Sequence, residues 1–133
     1  MRLNTNLKKL TNKEIRQIVD KTIGICEVKF GVNKRKGFCK AIVKNQNKND
    51  ELLKYGEYNP DKHTVVVFKN NCINIKDLIM TILHEYTHSL QPVASKYFKM
   101  LKQYGYENHP MEIEACNNEQ YCKEVWKIIK TKI

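Results

Sequence analysis

Apolar positions in residues 11–23, TNKEIRQIVDKTI, recur at helical spacing, with Ile15, Ile18, Val19 and Ile23 on one side of the turn. Thr11, with Glu14 three residues later, forms a capping box signature that places the helix start here. From residue 25 the period changes to two. In ICEVKFGV, Cys26, Val28, Phe30 and Val32 fall on one side, NKRKG turns the chain, and FCKAIVK resumes an extended run, so a hairpin of two strands is predicted. A polar stretch ending in the turn residues NPDK follows. HTVVVFK, β-branched and of strand length, then predicts a third strand.

The second half of the chain has helical periodicity. NIKDLIMTILHEYTHSLQ predicts a strong helix ended by Pro92, and ASKYFKMLKQYG a shorter one ended by Gly105. HPMEIEACNNEQYCKEVWKIIK predicts a last helix, because Pro110 and the glutamates behind it suit a first turn. The order helix, three strands, three helices is that of an α+β fold, and 133 residues without repeat or linker predict one domain over 1–133.

Composition narrows the setting. The five cysteines (Cys26, Cys39, Cys72, Cys116, Cys122) are odd in number, widely spread and form no C-x-x-C pair, which argues against a disulfide framework or a cysteine-based zinc finger. The basic N-terminus lacks a secretory apolar core, and runs such as VVVF and LIM are too short to cross a bilayer, so a cytoplasmic protein without a membrane partner is expected. The net charge is +10, and between Glu27 and Asp50 lie seven basic residues and no acid. No arginine cluster or row of aromatics accompanies them, so the expected nucleic-acid binding is weak and non-specific.

The candidate chemistry sits in TILHEYTHSLQP, residues 81–92. On a helix His84 and His88 stand about 40° apart on one face, roughly opposite the stripe of Ile79, Ile82, Leu83, Tyr86 and Leu90. Two imidazoles one turn apart can direct ring nitrogens to a single Zn²⁺, and Glu85 beside them is placed to act on a water rather than to ligate. A hydrolytic zinc site needs a third protein ligand and an open position. His109, Glu112 and Glu114 at the start of the last helix are the candidates.

HEYTH followed at this distance by HPMEIEA resembles the gluzincin metallopeptidases, and size and element order resemble the minigluzincins and the ImmA/IrrE-like and SprT-like small peptidases. The resemblance covers roughly residues 11–130 by element order, with its specific motifs confined to 84–88 and 110–115. It implies a zincin-like fold, Zn²⁺ held by His84, His88 and a later glutamate, Glu85 as catalytic base and acid, and a peptide or protein substrate. Matching the family's E-x-x-A setting to EIEA implies Glu112 as third ligand, with Glu114 the alternative. The helical wheel leaves both open, since the two point about 200° apart. Where many gluzincins carry an acid just after this alanine, the chain has Cys116, a departure from the pattern.

The oxyanion-stabilising group has three candidates, Tyr104, Tyr106 and His109, and the resemblance implies that TVVVF is the edge strand along which such peptidases lay a substrate, although the residues suit an ordinary core strand equally. Two rival readings remain at this level. One is a regulatory or nucleic-acid-associated protein with a structural zinc. The other is a latent peptidase whose cleft is covered by its own termini.

Overall fold

The computed structural model describes all residues except Glu51 and Val93. The chain is α+β, with helix α1 (Asn12–Phe30), strands β1 (Lys40–Lys44), β2 (Gly56–Asn59) and β3 (Thr64–Phe68), and helices α2 (Ile75–Leu90), α3 (Ala94–Tyr104), α4 (Pro110–Asn118) and α5 (Cys122–Ile129). A 3₁₀ turn, Glu119–Tyr121, separates α4 from α5, so the single last helix expected from the sequence is two.

Helix α1 starts as predicted, with the Thr11 hydroxyl accepting from Glu14 N–H and the Glu14 carboxylate accepting from Thr11 N–H. It then runs through the segment that alternates with period two, overturning the expected first strand. Cys26 continues the stripe of Ile15, Ile18, Val19, Thr22 and Ile23 into the core, whereas Val28 is left 88 % exposed. A helix already propagating gains one hydrogen bond per residue, and nothing stops it before Gly31, whose φ of 86° suits glycine.

The expected hairpin between residues 25 and 44 is therefore absent. NKRKG instead links α1 to β1, and β1 pairs in parallel with β3. The hairpin lies one step later. GEYN, inside the stretch read as merely polar, is β2, antiparallel to β3. Between them Asn59 Oδ1 accepts from the N–H groups of Asp61 and Lys62, and His63 takes a left-handed φ of 47°.

The sheet order is β1-β3-β2. TVVVF is thus the central strand, buried at all five positions, and not the expected edge. The edge beside α2 is β2. Gly56 explains how closely it approaches, since a Cβ there would meet Thr81 Cγ2 and the Val66 carbonyl oxygen at 2.6 Å, with Glu85 Cγ at 3.6 Å. Gly56→Ala is expected to cost about 1–3 kcal/mol through this overpacking, measured by denaturant unfolding. An unchanged midpoint would mean that the strand is not pressed onto the helix.

The core is formed where α1, α2 and α5 meet one face of the sheet, with Ile18, Val19, Val65, Val67, Leu78, Ile79, Ile82, Leu83 and Val125 fully buried. The stripe of α2 therefore faces inward, and His84, Glu85 and His88 lie half-buried on its other side. Among the described residues no helix is long and apolar enough to cross a membrane.

Candidate metal centre

Helix α2 opens with an Asn74 cap on Asp77 N–H and carries the HEYTH segment in its last two turns. The inward stripe holds the helix against the core and fixes which way the histidines point. Across the cleft, α4 begins at His109, whose Nδ1 accepts from Met111 N–H. This brings Glu112, itself buried, to both imidazoles. Its Oε1 lies 3.0 Å from His84 Nε2 and 3.2 Å from His88 Nε2.

The outer partners of the rings decide what those contacts are. His84 Nδ1 lies 3.1 Å from Glu119 Oε2, a carboxylate that can only accept, so Nδ1 carries the proton. His88 Nδ1 lies 2.7 Å from Gln91 Oε1. The amide orientation of Gln91 follows from its Nε2, which donates to the Met111 carbonyl at 2.9 Å and to Glu114 Oε1 at 2.7 Å. With each Nδ1–H committed outward, both Nε2 atoms turn to one carboxylate oxygen, an arrangement that ring protons or a single metal ion between the three atoms would satisfy. Neighbouring ligands of a tetrahedral zinc stand about 3.3–3.4 Å apart, within a few tenths of an ångström of the distances seen here.

Protonation tells the same story without the ion. Burial pulls the His84 imidazole down, but hydrogen bonds to Glu112 and Glu119, with the charge of Glu85, override it and push it up to about 10. His88 is raised for the same reasons, through Glu112, Glu85 and Gln91. Burial also pushes Glu112 up, yet hydrogen bonds from His84, His88 and Tyr97 hold it well below the carboxylate range. Glu85, by contrast, is raised, with burial the largest cause. Its carboxylate and the two imidazoles have atoms within 4.8 Å of one another.

Glu112 and Glu114 now separate. Glu112 meets both histidines, whereas Glu114 is exposed and reaches only Gln91. His109 is withdrawn as a ligand and as an oxyanion donor, because its Nδ1 caps α4 and its Nε2 donates to the Tyr97 carbonyl at 2.9 Å. Tyr104 lines neither cavity of the cleft, while Tyr106 lines both. These cavities, of about 550 and 450 Å³, meet at His84 and Glu85, beneath β2.

Sequence reasoning missed three contributors. Tyr97 donates to Glu112 Oε2 and so leaves Oε1 to the histidines. Gln91 orients His88. Glu119 places a carboxylate against His84 Nδ1, and a signal for it existed: it follows Glu112 by seven residues, two helical turns. Glu119→Gln is expected to weaken zinc binding about 10–100-fold by loosening the His84 tautomer, read by competition with a chelator. An affinity equal to wild type would remove Glu119 from the centre. Comparison of the chain with protein-family models, curated proteins and solved structures finds no match.

Proposed function

We propose that the chain is a zinc-dependent endopeptidase with a zincin-like fold, of the gluzincin type that HEYTH and EIEA resemble. His84, His88 and Glu112 hold the ion and Glu85 moves the proton. The observation that carries this reading is the convergence of two Nε2 atoms on Glu112 Oε1, each imidazole being oriented from behind by its own partner.

Zinc bound by these residues supplies a Lewis acid that polarises a peptide carbonyl and lowers the pKa of water toward 7. Glu85 takes the proton of the attacking water and delivers it to the leaving amine nitrogen. A carboxyl raised by burial suits both halves of that task, since its proton affinity moves toward working pH. Tyr106, lining both cavities beside Glu85, is the remaining candidate to donate to the carbonyl oxygen as it gains charge. The outer edge of β2 offers main-chain groups to an extended peptide, which binds such an edge by strand addition.

The rival readings have less behind them. No described residue before Leu53 or after Glu119 lines either cavity, which gives no support to a cleft covered by the termini. Of the basic stretch, Lys29 pairs with Glu124 and sits 4.1 Å over the Tyr121 ring, and Lys36 donates to the Pro60 carbonyl. These two cations are engaged with the protein itself.

The test is elemental analysis together with hydrolysis of an unfolded, casein-like substrate. One zinc per chain, with hydrolysis lost to a chelator and restored by zinc, is expected. A protein that takes up no zinc on reconstitution would end the reading.

A further inference from the structure

The side of His84 turned away from Glu112 faces another set of cation ligands. Cys116 and Glu119, three residues apart, bring a thiol and a carboxylate to the His84 Nδ1 edge. Nδ1 lies 3.1 Å from Glu119 Oε2 and 4.0 Å from Cys116 Sγ. Ligand atoms of the three residues all lie within 4.8 Å of one another. In a tetrahedral zinc site a sulfur and a nitrogen ligand stand about 3.6 Å apart, so a shift of a few tenths of an ångström would bring Cys116 Sγ and His84 Nδ1 to ligand spacing.

Access also favours this cluster. Cys116 is exposed, whereas the other four cysteines are buried. His84, Cys116 and Glu119 together line the cavity of about 550 Å³. The hydrolytic reading leaves the thiol without a task. A thiolate in an otherwise nitrogen and oxygen set selects for soft ions such as cadmium and favours zinc over magnesium or calcium.

We propose that Cys116, Glu119 and His84 Nδ1 form a second, thiolate-bearing cation site that competes with the His84, His88 and Glu112 set for the one imidazole they share. Binding there sends the Cys116 thiol proton and the His84 Nδ1 proton to solvent. Nε2 then gives up its own ion and takes a proton, because a neutral imidazole has one lone pair to donate. Zinc in excess, or a softer ion, therefore switches the hydrolytic centre off. The inhibition rests on the proposed peptidase function; the binding does not.

The experiment uses the zinc-loaded full chain in two arms. In the first, cadmium is added and the thiolate-to-cadmium charge-transfer band is followed in the ultraviolet. It should saturate at one cadmium per chain and be absent in Cys116→Ala, since the first set contains no sulfur. In the second arm, zinc is added beyond one equivalent and hydrolysis is compared with each protein's own starting rate. Loss of the thiolate ligand should raise the half-inhibiting zinc concentration at least about 10-fold in Cys116→Ala.

A band that persists in Cys116→Ala, or no band in wild type, overturns the site. Equal sensitivity of both proteins to zinc overturns the competition. Should wild type hydrolyse nothing, the peptidase reading fails, and the band still decides whether the second site exists.

Discussion

Glu85→Gln is expected to keep one zinc per chain and to lower peptide hydrolysis by about 10²–10⁴-fold, the usual worth of a positioned base and acid. At 1.36 kcal/mol per decade that is about 3–5 kcal/mol of transition-state stabilisation. The amide fills the same space beside His84 and His88 but accepts no proton at working pH. Metal retention follows because Glu85 is absent from the hydrogen bonds that join the histidines to Glu112, Glu119 and Gln91. The variant also removes a half-buried acid that makes no hydrogen bond among the described residues, so its fold should be no less stable. Zinc content and casein hydrolysis measured on the same preparation separate the outcomes. Hydrolysis at the wild-type rate would place the activity elsewhere.

Glu112→Ala is expected to abolish stoichiometric zinc, and Glu114→Ala to keep it. Without the carboxylate only two neutral imidazoles remain, and two ligands do not hold the ion against water, so the loss should exceed the about 10–100-fold expected of an outer partner. Glu114 touches the centre only through Gln91 Nε2, at 2.7 Å, so its loss leaves the Gln91 to His88 contact in place. Dialysis against a weak chelator followed by elemental analysis reads the difference directly. Zinc kept by Glu112→Ala and lost by Glu114→Ala would reverse the ligand assignment.

Legibility along the chain followed how local each signal was. The capping box at Thr11, the apolar stripe of α2, the stop at Pro92 and the β3 run are decided by neighbours within a turn or a few residues, and each is where its pattern placed it. Residues 25–30 carried two periods at once, because Cys26 and Phe30 suit a strand face and a helix stripe alike. The continuing helix decided between them. GEYN, by contrast, has almost no strand pattern of its own. It is held by pairing with β3 and by the close approach that Gly56 permits.

The same division runs through the candidate centre. By itself the sequence determined the His84, Glu85 and His88 face, since i, i+4 spacing opposite an apolar stripe is a property of one helix. It also placed the candidates for a third ligand, His109, Glu112 and Glu114, around the start of α4. What only the tertiary structure decided was which residues of other elements meet that face. Glu112 over Glu114, Tyr97 on the far carboxylate oxygen, Glu119 behind His84 and the engagement of His109 Nε2 by the Tyr97 carbonyl all depend on how α3, α4 and the turn after it pack against α2 and one another. A helical wheel assigns directions within one helix. The facing partner is set by packing between elements, and the contacts of Glu112 and Glu119 join residues 15 to 35 positions apart and leave no period in the sequence.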